Sequence, residues 1–136
     1  MRTIKFRAWD KKEKRMMKWI DSIIWGNTRI ESVKQTTPLQ GHARKIEDVE
    51  LMQYTGLSDK NGKEIYEGDI FPCIYYFDGC KKHKLEVVFD EESAGFRLKN
   101  HGECHQPNVT KRISDMERQE IIGNIYSNPE FLQEKK

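Results

Sequence analysis

Five residues in the second half of the chain carry metal-binding chemistry: Cys80 and His83, separated by two residues, and His101, Cys104 and His105. Thiolate and imidazole are the ligands that Zn²⁺ prefers, and a two-residue gap suits a turn that aims both at one ion. The spacing is irregular, however. No second cysteine pair follows, and the flanking stretches are polar and rich in lysine. The reading is therefore that the chain needs no metal and no other cofactor. A second cluster, Asp59, Asn61 and Gly62, has the flavour of a calcium loop, but Gly62 comes too early and Lys63 occupies a ligand position, so a plain hairpin turn is the expectation. Glu64, Glu67 and Asp69 lie close enough in sequence to supply an acid and a base, yet no nucleophile or positioned histidine accompanies them. The chain has no GxSxG, HExxH, P-loop or GxGxxG pattern. These carboxylates are expected to be solvated flanks of a turn, and the chain not to be an enzyme.

The fourth chemistry is electrostatic. Residues 1–20 hold eight basic and two acidic residues, against sixteen basic and twenty acidic in the remainder. A basic end on an acidic body suits an anionic partner, or one chain's end held against another chain. Lys also marks edge strands that must not aggregate. If residues 4–9 and 16–20 pair as a hairpin, Lys5, Arg7 and Lys18 share a face with Trp9, and basic residues beside an aromatic can track a phosphate backbone while a base stacks. The competing role for Trp9, Trp19 and Trp25 is a core or a subunit interface.

The elements that must position these residues are mostly strands. Ile4 to Ala8 alternates apolar and basic residues, the period of a half-buried strand, with Ile4, Phe6 and Ala8 toward a core and Lys5, Arg7 and Trp9 away from it. Asp10 to Lys14 is a polar turn, Met16 to Ile20 returns, and Ile23 to Trp25 extends that strand or starts another. Residues 31–45 are weakly patterned and read as a loop around Thr36-Thr37-Pro38 and Gly41. A strand over Ile46–Tyr54 leads to Asn61-Gly62, a tight-turn dipeptide, so residues 51–77 are expected to run as consecutive antiparallel strands, with Pro72 at an edge or bulge. Leu85–Phe89 and Phe96–Leu98 form a hairpin. Ile113–Gln119 is strand or short helix, Ile121–Tyr126 a last strand, and Asn128-Pro129 opens a short C-terminal helix to about Glu134. The fold class is mainly β: a bent antiparallel sheet or small β-barrel with an N-terminal hairpin and a short C-terminal helix. One domain over 1–136 is expected, with 1–45 and 46–136 as its natural division.

Composition sets the outer bounds. The chain has 136 residues, a net charge of +2, 36% hydrophobic and 34% charged residues. That balance excludes a histone-like polycation or an acidic tail, and 10% aromatic residues argue against a disordered chain. No apolar run approaches the roughly 20 residues of a membrane span, and no signal-peptide core opens the chain. Cys73, Cys80 and Cys104 are too sparse and odd in number for a disulfide framework, which points to a reduced, cytoplasmic protein.

Three segments together carry a family resemblance: IKFRAWD at 4–10, LMQYTGLSDKNGKEIYEGDI at 51–70 and IIGNIYSNPEFL at 121–132. The chain resembles the YopX family of bacteriophage and prophage proteins, which share a basic strand ending in Trp-Asp, a central TGL-x-DKNG segment and a closing NPEL. The resemblance implies a mainly β protein encoded by a phage or prophage, acting in the bacterial cytoplasm. It brings no catalytic residues and no established activity. Residues 72–80 and 101–109 depart from the family pattern, so the cysteine and histidine cluster is not a family feature. The expected function is that of a non-enzymatic accessory protein working through protein contacts or self-assembly, as a homo-oligomer; the alternative is a weak nucleic-acid-binding module. Elemental analysis of purified protein is expected to find well below one zinc per chain, and a stoichiometric value would overturn that reading.

Overall fold

Short β-prone runs separated by turn residues give eleven strands among the described residues. The computed structural model describes residues 1–36, 41–72, 83–101 and 112–133. The fold is mainly β, with a strongly curled antiparallel sheet and few helical turns. Two compact units divide the chain, Met1–Tyr54 and Thr55–Lys136.

In the first unit, β1 (Phe6–Asp10) lies between β2 (Arg15–Met17) and the first half of β6 (Val49–Ser58), antiparallel to both. A second sheet has the order β3 (Ser22–Trp25), β4 (Ile30–Thr36), β5 (Gly41–Lys45). Ala8, Met17, Val33 and Val49 form the core, with Ile20, Ile23, Ile30, Ile46 and Leu51 packed on them. Two expectations change here. Residues 31–45 contain β4 and β5 rather than a loop. Their pattern is faint because a polar residue, Gln35, shares the buried face with Val33. Within β1 the burial does not alternate: Arg7, Ala8 and Asp10 are all buried, while Ile4 is 61% exposed. Buried side chains therefore lie on both faces of β1, and apolar alternation alone does not reveal which side chains point inward.

In the second unit, the end of β6 passes through the 59–63 turn into β7 (Glu64–Tyr66), its neighbour in the sheet. A tight turn at Gly68 leads to β8 (Asp69–Pro72), and β8 joins β9 (Lys84–Asp90), β10 (Gly95–His101) and the two-residue β11 (Gly123–Asn124) in the order β10-β9-β8-β11. The expected run of strands from 51 is present as far as Pro72; residues 73–77 lie outside the described residues. Pro72 pairs with Lys84 on one side, while β11 reaches only Asp69 and Ile70 on the other, so its missing N–H interrupts no ladder there. The core comprises Ile65, Phe71, Leu85, Val87, Met116 and Ile121. Residues Ile113–Arg118 and Pro129–Leu132 are 3₁₀ turns, the latter being the expected C-terminal helix in shortened form. The last strand is shorter than expected because the chain leaves the ladder after Asn124, whose side-chain oxygen accepts the amides of Tyr126 and Ser127 and curls the chain. At Gly123 the Asn128 amide and the Phe131 ring occupy the space a Cβ would need.

Asp59 joins the two ends of this unit. One carboxylate oxygen accepts the amides of Asn61 and Lys63, each at 2.9 Å, and the other accepts the amide of Ile121 at 3.1 Å. The Lys60 amide donates to the Gln119 carbonyl alongside. Gly62 takes φ +80°, which its lack of a Cβ permits. Burial pushes the Asp59 carboxyl up, and the amides of Ile121, Lys63 and Asn61 with the Lys63 charge outweigh it, so its pKa lies below the ordinary aspartate value. Asp59→Ala leaves three main-chain N–H groups without this acceptor and is expected to cost about 2–4 kcal/mol in urea unfolding. Asp59→Asn, which keeps one acceptor oxygen, is expected to fall between wild type and Asp59→Ala.

Candidate functional site

The basic N-terminal hairpin is built around another buried aspartate. Asp10 is the last residue of β1, and its carboxylate accepts the amides of Lys12 (2.9 Å) and Glu13 (3.1 Å), which shapes the turn into β2. Lys14 completes that turn with φ +51°. The other Asp10 oxygen accepts Arg44 Nε from β5 at 2.7 Å, and Arg44 also pairs with Glu13 at 3.0 Å. Burial acts to raise the Asp10 pKa; the Glu13 amide, the Arg44 guanidinium and the Lys12 amide together hold it below the usual aspartate value. The hydrogen bond to Asp10 pushes the Arg44 pKa up.

The same turn meets the acidic segment that precedes and opens β6. Pairing of Asp10 with Val49 in the β1–β6 register brings Lys11 to Glu50 (3.1 Å) and Lys12 to Asp48 (3.1 Å). Arg15 pairs with Glu13, and Arg29 with Glu47 at 3.3 Å. Much of the positive charge at the N-terminus is thus matched by carboxylates of the same unit.

The structure does not gather Lys5, Arg7, Trp9 and Lys18 on one open face. Lys5 Nζ lies 5.5 Å from the centre of the Tyr54 ring. Arg7 is only 7% exposed. Trp9 is half-buried in β1, between Met16 and Glu50 in the register, and Lys18 is exposed beyond the end of β2. The tryptophans separate clearly: Trp19 and Trp25 are 69% and 67% exposed, and Ile24 beside Trp25 is 49% exposed. Trp19 precedes the edge strand β3 and Trp25 ends it.

The other candidate chemistries resolve into structural roles. Asp69 is buried and accepts the Tyr66 amide at 2.8 Å; Glu64 accepts the Tyr66 hydroxyl at 2.9 Å. The Asp59–Asn61 turn is closed by its own amides. Of the cysteine and histidine set, His83 and His101 sit at the same end of the β9–β10 hairpin, where Lys84 pairs with His101. His101 Nε2 lies 2.5 Å from Glu86, and His83 Nδ1 is buried without a hydrogen-bond partner among the described residues. Cys80, Cys104 and His105 lie outside the described residues. Among the described residues no three His, Cys, Asp or Glu side chains converge as for a metal ion. No described helix is long and apolar enough to cross a membrane.

The family model described as YopX protein matches residues 5–133. The chain belongs to the YopX family. Two solved structures are similar to it. Protein EF1440 from Enterococcus faecalis is 24% identical, with a TM-score of 0.64 over 98% of this chain and 100% of that one. Protein yopX from Bacillus subtilis is 23% identical, with a TM-score of 0.57 over 100% of both chains. No curated protein is significantly similar to the chain. In this YopX protein the three segments that carry the resemblance hold Asp10, Asp59, Asp69 and Asn124, the side chains that fix its turns. The motifs therefore specify backbone geometry.

Acid titrates this framework. With their pKa values depressed, Asp10 and Asp59 bind fewer protons folded than unfolded below the ordinary aspartate value of 3.8. Stability is therefore fully present above about pH 5 and is lost as pH falls through the depressed values. Thermal melts are expected to hold level from neutral pH to about pH 5 and then to fall steeply. Asp10→Asn should lower the neutral plateau and make the acid decline shallower; a melting temperature independent of pH down to pH 3 would contradict the assignment.

Proposed function

We propose that this YopX protein is a non-enzymatic accessory protein of a bacteriophage or prophage, acting in the bacterial cytoplasm through protein contacts. Exposure of Trp19 and Trp25 around β3 carries this reading. Large aromatic side chains lose much apolar surface to water in the free protein and serve as anchors when a partner covers them. Two of the carboxylates that first suggested acid–base chemistry support the same reading, since Asp69 accepts the Tyr66 amide and Glu64 accepts the Tyr66 hydroxyl. The electrostatic alternative has less support. Arg7 is buried, and Lys11, Lys12 and Arg15 are held by carboxylates, so a phosphate backbone would meet few unmatched charges on this hairpin.

Sedimentation of the fluorescently tagged chain in bacterial host extract tests this function. Wild type is expected to sediment faster than a monomer. The Trp19→Ala, Trp25→Ala double variant should run as a monomer with an unchanged circular dichroism spectrum, because substitutions at exposed positions typically cost within about 0.5 kcal/mol. Wild type sedimenting as a monomer in the extract would overturn the proposal.

A further inference from the structure

Three successive peptide planes of the 59–63 turn are held by one residue. A carboxylate oxygen of Asp59 accepts the amides of Asn61 and Lys63, each at 2.9 Å, and the Asp59 carbonyl accepts the Gly62 amide between them at 3.0 Å. The Asp59 amide donates in return to the Lys63 carbonyl at 2.8 Å. The Asn61 side chain stands outside this net: it is exposed, and it makes no hydrogen bond among the described residues. Of the asparagines in the chain, only Asn61 precedes a glycine. Gly62 has no side chain to shield its amide nitrogen, and the space around the position of a Cβ is open. Asparagine followed by glycine holds two reactants in one dipeptide, because the side-chain carbon Cγ and the next backbone nitrogen can close a five-membered ring.

We propose that Asn61 is a self-modification site that Asp59 keeps silent in the folded protein. Ring closure joins the Gly62 nitrogen to Asn61 Cγ. The Cγ–Nδ2 bond breaks, and the side-chain nitrogen departs as ammonia with the proton that the Gly62 amide gives up. Water then opens the succinimide at either carbonyl and leaves aspartate or isoaspartate at this position. The first step requires the Gly62 nitrogen to lose its proton and turn toward Cγ. In the fold that N–H is engaged by the Asp59 carbonyl, and the peptide planes on either side are bonded to the carboxylate of the same residue. The ring therefore closes when the turn opens, and Asp59 sets how often it opens. Loss of ammonia makes the change one-way. Either product brings a second carboxylate near that of Asp59, and isoaspartate adds a methylene to the main chain within the span that Asp59 bridges. The Ile121 amide depends on the same carboxylate, so a converted turn also loosens the closure of the second unit.

Peptide mapping by mass spectrometry, with enzymatic methyl labelling of isoaspartate, tests this on the purified full chain in mildly alkaline buffer. Wild type is expected to convert at Asn61 about tenfold or more faster in urea than when folded. Asp59→Ala should raise the rate in native buffer by about tenfold, and Asp59→Asn by less, as the open turn becomes more populated. Both variants also lower overall stability, so Leu85→Ala, in the same core but away from the turn, supplies the comparison. Brought to the same unfolded fraction with urea, it should convert more slowly than Asp59→Asn, which decides the matter even if Asp59→Ala does not fold. Equal rates in folded and unfolded wild type, no conversion in urea, or an Asp59→Asn rate no higher than that of matched Leu85→Ala would overturn the proposal.

Discussion

The turns of this protein depend on aspartate carboxylates accepting main-chain N–H groups. A tight turn leaves amides that no ladder can reach, and burying them unpaired would cost more than most single contacts return. Asp10, Asp59, Asp69 and Asp90 each meet this need for a different turn. An ionised carboxylate suits the task because two oxygens can accept several donors at once. Two of the four also reach beyond their own turn. Asp10 holds Arg44 from β5, and Asp59 takes the Ile121 amide from a segment 62 residues later. Local backbone shape and long-range closure thus rest on the same atoms.

The charge distribution follows from that arrangement. Summed along the sequence, the first twenty residues carry a large positive excess; in the folded unit, the β1–β6 pairing lays the carboxylates of Glu50 and Asp48 against Lys11 and Lys12. Exposed pairs of this kind contribute little stability individually. Their larger effect is on recognition, because a neutralised surface attracts anions weakly, whereas Trp19 and Trp25 keep most of their surface exposed.

Much of the architecture was legible in residue order. Asn61-Gly62, the Leu85–Phe89 alternation and the apolar-basic run at 4–8 announce their strands and turns through periodicity and φ preference alone. Phe89 departs from the inward face that Leu85 and Val87 share: at its strand end it is 46% exposed, edge-on against Phe96 at 5.6 Å. β4 and β5 were hidden because most of their less exposed positions, Ser32, Gln35, His42 and Arg44, are polar. Arg7 was unreadable for a different reason: both faces of β1 carry buried side chains, which a local pattern of apolar residues does not show. The candidate contact surface was legible only as three tryptophans near the N-terminus. Separating half-buried Trp9 from Trp19 and Trp25 required the sheet order that makes β3 an edge.

The bond from Asp59 to Ile121 also bears on how the chain is made. On a ribosome, residues 1–54 emerge with every member of their own core present and can fold while synthesis continues. The second unit has to wait. Its early turn, its central strand and most of its apolar core are exposed to solvent before Met116 and Ile121 arrive to fill the remaining places. During that interval the nascent chain presents Ile65, Phe71, Leu85 and Val87 uncovered, the state in which translation speed and chaperone access decide between folding and aggregation.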